Sequence, residues 1–295
     1  MSTRVFSILA VLAVLLGSCT KGDDDPAPAA PDEGPRLIMK FRFDSTQVRL
    51  NAVGQPSTVQ AGHGAQSPVF NKMSAHYVEF APTALTALGT GDVVYHASET
   101  TLGGSTAIDH DLCLSVGNNE AFLDIPLSEL SPGTYEWLRV SLAYQNYDIR
   151  FAASTLALTG TIASFIGYNT YIGSFQVADS TIQVNANKLQ GYWAFEVNDP
   201  PLPVPVTEGQ APATTVVNPL FATSPIPSGS CVVTSAFPVP LTITGNETED
   251  VVVVVSVSTN KSFEWVETDA DNVYEPVDGE TVVDMGVRGM IPIVQ

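Results

Sequence analysis

Basic residues are scarce in this 295-residue chain. Lysine and arginine number 12 against 31 aspartates and glutamates, which gives a formal net charge of −19 with the histidines neutral. A nucleic-acid-binding protein needs a basic patch that neutralises phosphates, and a chain this acidic is far from that footprint. We therefore expect no nucleic-acid partner.

Catalytic signatures are also missing. The sequence contains no Gly-x-Ser-x-Gly, His-Glu-x-x-His, P-loop or Gly-x-Gly-x-x-Gly motif. The expectation is a protein that is not an enzyme, with no catalytic residue assigned. A glycosidase stays open as an alternative, because its two carboxylates pair only in space and leave no local motif.

The one long apolar run lies at residues 5–16, after Arg4. It is too short for a membrane span, which needs about 20 apolar residues, and it is typical of a bacterial signal peptide. The run ends in Leu16-Gly17-Ser18-Cys19, which resembles the lipobox of bacterial lipoproteins. This resemblance implies that residues 1–18 are removed and that Cys19 carries diacylglycerol and a palmitate-type acyl chain. An ordinary signal peptide with an incidental cysteine is the alternative.

The segment after Cys19 is charged and rich in proline. Lys21 followed by Asp23, Asp24 and Asp25 resembles the export signal of Bacteroidetes-type surface lipoproteins, which implies an outer-membrane lipoprotein facing the periplasm or the cell surface. A solvated charged tether is the alternative. In either case residues 19–35 predict a flexible tether that precedes the folded domain at 36–295.

Residues 36–295 show strand patterns and no long helical stripe. Met39, Phe41 and Phe43 alternate with Lys40 and Arg42, which predicts a half-buried strand. Similar segments, separated by Gly, Pro, Asn and Asp, predict strands at 74–80, 93–96, 121–125, 135–144, 162–172 and 192–197. We predict an all-β fold, an antiparallel β-sandwich with long Pro-rich connections.

The prolines between residues 200 and 240 predict a surface connection with short edge strands at most, because proline cannot donate to a central ladder. Two lobes, 36–198 and 213–295, joined by this Pro-rich segment, are the alternative to one domain. Beyond it, 241–244 and 251–258 predict a hairpin whose second strand, with five consecutive valines, is buried on both faces. Further strands are expected at 263–265 and 282–287.

Two cysteines remain besides Cys19. An oxidising compartment would permit a disulfide between Cys113 and Cys231. The alternative is a pair of separate buried thiols, since sequence does not say whether the two side chains meet.

The histidines are confined to residues 63–110, where their imidazoles are candidate ligands for copper or zinc. On the strand at 74–80, alternation places His76 on the face of Val78 and Phe80, so a hydrogen-bonded core histidine is the alternative there. The candidate metal ligands are His63, His76, His96, His110 and Met73.

Two weaker patterns suggest other ligands. An acidic stretch could hold calcium or be a solvated turn; its oxygen-bearing residues are Asp269, Asp271, Asn272 and Glu275. Tyrosines beside Asn and Gln could stack on sugar rings or pack ordinary turns; they are Tyr144, Tyr147, Tyr168 and Tyr171.

Larger resemblances combine these features. The lipobox, the Pro- and acid-rich stalk, the Phe41-Arg42-Phe43-Asp44 strand and the segment 132–140 resemble the uncharacterised surface lipoproteins of the Bacteroidetes type. The Phe-x-Phe strand and the Pro-Gly-x-Tyr turn are also similar to MbnP-like copper-associated periplasmic proteins. That second resemblance implies a β-rich domain associated with copper, and it transfers no ligand position.

The sequence thus predicts a membrane-anchored extracytoplasmic lipoprotein with a non-enzymatic binding or envelope-interaction role. The alternatives are a copper-binding envelope protein, similar to MbnP, and a glycan-binding module or glycosidase. The expected partners are the lipid bilayer, through acylated Cys19, and a glycan, a metal ion or an envelope protein. Copper is the one cofactor considered.

Overall fold

The computed structural model describes residues 34–200, 202–211, 227 and 230–295. The signal segment, Cys19 and the tether up to residue 33 lie outside the described residues, as does most of the Pro-rich segment. Gly34–Gln295 form one compact unit. The described residues contain β-strands, short 3₁₀ turns and no α-helix, so the predicted all-β class is confirmed. In this part of the chain, no helix has the length and hydropathy needed to cross a membrane.

Nineteen strands occur in the described residues. In chain order they are β1 (Arg36–Asp44), β2 (His63–Gln66), β3 (Val69–Ala81), β4 (Asp92–His96), β5 (Glu99–Thr100), β6 (Ala107–Asp109), β7 (Ser115–Val116), β8 (Ala121–Pro126), β9 (Gly133–Ala153), β10 (Leu156–Phe165), β11 (Asn169–Gln176), β12 (Thr181–Leu189), β13 (Tyr192–Val197), β14 (Thr207–Gln210), β15 (Cys231–Ile243), β16 (Val251–Ser258), β17 (Phe263–Val266), β18 (Val282–Met285) and β19 (Met290–Val294). Short 3₁₀ turns lie at His110–Leu112, Leu127–Glu129 and Pro276–Asp278.

Four sheets carry these strands. The main sheet has the order β14-β13-β10-β9-β3-β4, with β15 also paired to β9 and β7 to β3. The back sheet is β19-β16-β1-β8, the small sheet is β12-β11-β6-β5, and a three-stranded sheet is β18-β17-β2. The pairings β1 with β16 and β6 with β11 are parallel, and the other strand pairings are antiparallel. Strands before and after the Pro-rich segment therefore share sheets.

The main sheet is covered on both faces. On one face, the back sheet contributes Leu37, Met39 and Phe41 to a core that also includes Val140 and Leu142 of β9. The three-stranded sheet packs on this same core face through Phe263 and Trp265. On the opposite, outer face, the small sheet packs through β11 against β10 and β13. Each fully buried large apolar side chain contributes roughly 1.5–3 kcal/mol.

Burial follows the predicted alternation where strands are regular. Met39 and Phe41 are fully buried, whereas Lys40 and Arg42, which alternate with them, are not, which confirms the expectation for β1. In β16, the run from Val253 to Ser258 is buried on both faces, also as expected. Its central position between β1 and β19 explains why five valines follow one another.

Strand β9 carries a bulge that reverses its faces. Opposite β3, Ser74 pairs with Tyr144 and Ala75 pairs with Leu142, so Ala143 is an extra residue. Leu142 points into the core before the bulge, and Tyr144 lies on the outer face after it. The carbonyl oxygen of Ala143 accepts the N–H groups of Ile166 (2.8 Å) and Gly167 (3.0 Å). The bulge thus fixes the turn that follows β10.

That turn corrects one prediction. The segment 162–172 was expected as one strand, but β10 ends at Phe165 in the main sheet and β11 begins at Asn169 in the small sheet. Gly167 permits the crossing, because a Cβ atom there would lie 2.5 Å from Cδ1 of Ile108 and 3.6 Å from Cα of Ala143. The chain therefore changes sheets at this glycine.

Two predictions for the C-terminal half are wrong. Strands β15 and β16 do not form a hairpin, because β15 pairs with β9 and β16 pairs with β1 and β19. The prolines do not exclude a long strand either, since β15 runs through Pro238 and Pro240. Both prolines fall in the register shift between Ala236 and Leu241, where β15 has no pairing with β9, so no ladder donor is lost.

The proposed disulfide is absent, and the alternative of two thiols holds. Cys113 and Cys231 are both free. Cys113 lies beside the Ser74 hydroxyl on the outer face of the main sheet, whereas Cys231 pairs with Leu142 and borders the core face. The sheet itself separates the two sulfurs. Burial raises the pKa of each thiol to about 12.

A buried ion pair joins the three-stranded sheet to the loop after β1. Arg49 Nη2 lies 2.8 Å from Glu264 Oε2, and His63 Nδ1 lies 2.7 Å from Glu264 Oε1. The side chains of Arg49 and Glu264 are 9% and 6% exposed. Burial by itself would raise the pKa of Glu264, but the hydrogen bonds from His63 and Arg49 hold it below its usual value. The carboxylate is therefore charged in the folded protein at neutral pH.

We predict that Glu264→Gln lowers the free energy of unfolding by about 3–5 kcal/mol at pH 7, because it leaves the Arg49 charge buried and unpaired. The folded pKa of Glu264 lies below the unfolded value of about 4.3, so this stabilisation is complete above that pH and is lost as the pH falls through the folded pKa. Urea unfolding of wild type and variant between pH 7 and pH 3 measures it.

The matched control is Asp278→Asn, at an exposed carboxylate, which should change stability by less than about 0.5 kcal/mol. A difference between wild type and Glu264→Gln that stays constant across the acid range would contradict the assignment.

Candidate metal centre

Two of the predicted histidines converge where the chain leaves the main sheet for the small sheet. His76 lies on β3, His96 is the last residue of β4 and Glu99 is the first residue of β5. The Nε2 atoms of His76 and His96 are 3.2 Å apart. Glu99 Oε1 lies 3.1 Å from Nε2 of His76 and 3.8 Å from Nε2 of His96. Three ligand atoms therefore face one point.

Local backbone structure produces this convergence. His96 stands opposite Tyr77 in the β3–β4 ladder, which brings it next to His76. After His96 the N–H of Ala97 donates to the His76 carbonyl oxygen (2.7 Å), and the chain then turns into β5. The connection is so short that Glu99, three residues after His96, returns to the same place.

The predicted face of His76 is wrong. A register shift between Ala75 and Tyr77 in the β3–β9 ladder interrupts the alternation at His76. Its imidazole consequently lies beside His96 and Glu99, while Val78 remains in the core with the back sheet. A bulge that redirects one side chain is common beside functional sites.

The three side chains differ in exposure. The His76 side chain is fully buried, whereas those of His96 and Glu99 are 46% and 31% exposed. Burial first, and the neighbouring His96 second, lower the pKa of His76 to about 4, so its imidazole is neutral near pH 7. A neutral imidazole has a free lone pair. The site thus has one rigid buried nitrogen and an open side toward solvent.

Tyr168 completes the site from the turn after β10. Its hydroxyl donates to Glu99 Oε1 (3.0 Å), and its ring lies 5.6 Å from the His76 ring. Burial and the Glu99 charge raise the pKa of Tyr168, so the hydroxyl stays protonated and acts as a donor. Since Ala143 fixes this turn, Tyr168 holds the carboxylate from a rigid element.

A buried ion pair supports the other side of His96. The ring of Tyr77 lies 5.6 Å from the His96 ring, and its hydroxyl donates to Glu79 Oε2 (2.9 Å). Glu79 also accepts two glycine N–H groups from the loop at 82–91 and lies 3.8 Å from Arg139 Nη1. Neither Glu79 nor Arg139 is more than 1% exposed. The wall behind His96 is therefore well ordered.

The other three predicted ligands lie elsewhere. His63 belongs to the ion pair with Glu264. His110 packs against Tyr144 and Phe165, with ring centroids 5.0 Å apart in each case. Met73 is fully buried in the core between the main and back sheets. The five candidate ligands lie close together in the sequence, but only His76 and His96 of them meet in the structure.

Sequence reasoning missed two members of the site. The spacing His96-x-x-Glu99 at the end of a predicted strand could have indicated Glu99. Tyr168 lies 69 residues beyond Glu99, and no local pattern connects them. Only the crossing at Gly167 brings this tyrosine to the histidines.

The separations match a metal-ligand set. Nitrogen and oxygen ligands bound at about 2.0–2.2 Å lie about 2.8–3.1 Å apart at neighbouring corners of a square-planar ion and about 3.3–3.6 Å apart around a tetrahedral one. The observed separations are 3.1, 3.2 and 3.8 Å. Two further clusters among the described residues are purely carboxylate. They are Glu267 with Asp269 and Glu280, and Asp269 with Asp271 and Glu275. The cluster at His76 is the one that offers imidazoles.

Comparisons with protein-family models, curated proteins and solved structures gave no match for this chain. The resemblance to MbnP-like proteins therefore remains a prediction, and function has to be argued from the site.

Proposed function

We propose that this chain is a membrane-anchored extracytoplasmic protein that binds a divalent transition-metal ion, preferentially Cu(II), through His76, His96 and Glu99. One observation carries the metal assignment: two imidazole nitrogens and a carboxylate oxygen converge within 3.8 Å of one another beside open solvent. The residues present thus fit a resident metal ion.

The donor types favour copper in its divalent state. Two imidazoles and a carboxylate suit late first-row divalent ions, and affinity along that row is highest for Cu²⁺. Thiolate and thioether ligands would favour Cu(I), but among the described residues no sulfur belongs to the cluster: Met73 is in the core, and neither Cys113 nor Cys231 is one of its members. The similarity to copper-associated periplasmic proteins supports the same ion. Zn²⁺ is expected to bind more weakly.

Each residue has a distinct part in binding. His76 supplies a fixed, neutral nitrogen from the main sheet, and His96 supplies the exposed one. Glu99 offsets charge on the ion, and Tyr168 orients Glu99 by its hydrogen bond. The exposed side leaves room for water or an exchanging partner. We propose storage or transfer of the ion, a role that agrees with the lack of a catalytic motif.

The metal assignment is tested on full-length protein purified without a His-tag. We expect one equivalent of Cu(II) by elemental analysis and calorimetry, and at least a 100-fold loss of affinity in His96→Ala, whose half-exposed side chain can be removed without opening the core. His110→Ala is the matched control and should bind copper as wild type does. Stoichiometric binding that survives His96→Ala and His76→Ala, or no stoichiometric metal in wild type, would overturn the proposal.

We predict that Tyr168→Phe weakens copper binding by about 10-fold, because partners of a metal ligand typically contribute 10- to 100-fold in affinity. The change deletes one oxygen and leaves the ring in place. Tyr171→Phe, on β11, is the control and should have no effect. Calorimetric titration of both variants distinguishes them, and equal affinities would show that Tyr168 does not position Glu99.

The anchor rests on the N-terminal sequence alone. Leu16-Gly17-Ser18-Cys19 supports cleavage before Cys19 and attachment of acyl chains there, and two or more chains hold a protein firmly on a bilayer. The acidic segment after Cys19 supports an outer-membrane location, with an envelope protein as a further candidate partner.

Mass spectrometry of native protein should find an N-terminal Cys19 with the added mass of diacylglycerol and an acyl chain. Cys19→Ala should abolish acylation and the cleavage before residue 19. An unmodified N-terminus with residues 1–18 still attached would contradict the anchor and leave the metal proposal intact.

A further inference from the structure

A second site lies on the outer face of the main sheet. A cleft of about 630 Å³ opens between strands β9, β10 and β13 and the end of β11. This volume falls within the range of about 300–1,000 Å³ that small-ligand sites occupy. None of His76, His96 or Glu99 lines it, so the cleft is separate from the metal centre.

The floor of the cleft is a row of polar side chains. After the bulge at Ala143, the outward positions of β9 are Tyr144, Asn146 and Asp148. Thr161 of β10 stands opposite Asp148. Asn146 and Thr161 are buried at 4% and 3% exposure, so they are fixed parts of the fold rather than mobile surface groups.

Hydrogen bonds hold this floor in one arrangement. Asn71 Nδ2 donates to Asn146 Oδ1 (3.0 Å) and Asp148 Oδ1 (3.0 Å), and the Thr161 hydroxyl donates to Asp148 Oδ1 (2.7 Å). Asn146 Nδ2 in turn donates to the Val177 carbonyl oxygen (2.8 Å). The carboxylate of Asp148 is therefore held in place by hydrogen bonds to one of its two oxygens, Oδ1.

This arrangement leaves a donor and an acceptor for a ligand. Asp148 Oδ2 has no hydrogen-bond partner within the described ranges. Asn198 Oδ1 lies 3.0 Å from the Thr161 hydroxyl, and the side-chain nitrogen Nδ2 of Asn198 has no hydrogen-bond partner in that same part of the chain. A fixed acceptor beside a fixed donor suits neighbouring hydroxyl groups, each of which both donates and accepts.

Aromatic rings form one wall. His110, Tyr144 and Phe175 line the cleft, and the His110 and Tyr144 ring centroids are 5.0 Å apart. Burial lowers the pKa of His110, so the imidazole is neutral at pH 7 and adds no positive charge. Tyr144 and Phe175 are only 5% and 4% exposed, so they support the half-buried His110, whose ring offers the apolar surface for the C–H groups of a sugar.

Charge narrows the ligand class further. The cleft is lined by five carboxylates and a single lysine, Lys72; the acids are Asp111, Asp148, Asp179, Glu196 and Asp199. Such a surface repels phosphate, sulfate and carboxylate groups. A bound cation has less support, because none of the three candidate metal clusters among the described residues includes a residue of this cleft.

We infer that this cleft binds a neutral saccharide unit of a glycan, with Asp148 and Asn198 contacting its hydroxyl groups and with His110, supported by the nearly buried Tyr144, packing against its ring. The inference is independent of the metal centre. It places the glycan-binding alternative on defined residues, and of the four tyrosines considered from the sequence it retains Tyr144 alone.

The test presents the full-length protein to an array of neutral, sialylated and sulfated oligosaccharides, followed by calorimetry with the best neutral oligosaccharide. We expect retention of neutral sugars and little retention of the charged ones. Asp148→Asn keeps an oxygen that can accept from Thr161 and Asn71, and should lower affinity at least 10-fold. Asn198→Ala, at the half-buried rim, should do the same.

Two controls separate the sites. Asp278→Asn removes a carboxylate that does not line the cleft and should leave sugar binding unchanged. His96→Ala should also leave it unchanged, and Asp148→Asn should still bind copper. If no neutral oligosaccharide is retained, if anionic ones are retained equally, or if affinity survives both cleft substitutions, the inference is overturned.

Discussion

The main sheet is covered on both faces, and its longest strand has to serve two purposes. One half of that strand packs apolar side chains in the core, and the other half presents polar side chains on the outer face. Strand β9, 21 residues long, bears most of this constraint, because it pairs with β3, β10 and β15. A strictly alternating strand would place the same kind of residue on one face throughout. The bulge at Ala143 solves this by reversing the faces halfway along.

Both proposed sites depend on that reversal. Beyond the bulge, Tyr144, Asn146 and Asp148 turn outward and form the cleft floor. The same bulge exposes the Ala143 carbonyl oxygen, which holds the turn carrying Tyr168 to Glu99. A second irregularity, at His76, turns that imidazole toward His96. The polar residues of both proposed sites are therefore oriented by irregular positions of the strand ladders, not by regular ones.

The difference between regular and irregular ladder positions explains which parts of the fold could be predicted from the sequence. Regular strands were predicted well: the alternation at Met39 and Phe41 and the valine run of β16 have a local cause, which is burial on one face or on both. The all-β class followed from many such segments. The local pattern of apolar and polar residues is sufficient to predict those parts of the fold.

Features that depend on long-range pairing were not predictable in this way. Whether β16 pairs with β15 or with β1 is decided by the whole core, so the expected hairpin failed. The face of His76 failed because a bulge adds one residue without a sequence mark. Glu99 and Tyr168 reach the histidines only when two crossings between sheets are in place, and no short motif encodes that.

The negative electrostatic potential of this acidic chain is compatible with both proposed ligand classes, a divalent metal ion and a neutral sugar. A net charge of −19 raises the concentration of cations near the surface and lowers that of anions. At the proposed metal centre, this field favours capture of a divalent ion by the neutral His76 imidazole and the Glu99 side chain. In the proposed saccharide cleft, the same field disfavours anionic sugars, while a neutral hydroxyl group can still donate to Asp148. Both proposed sites lie on the outer face, whereas the back sheet contributes an apolar core, so the outer face is where we expect this protein to bind its ligands.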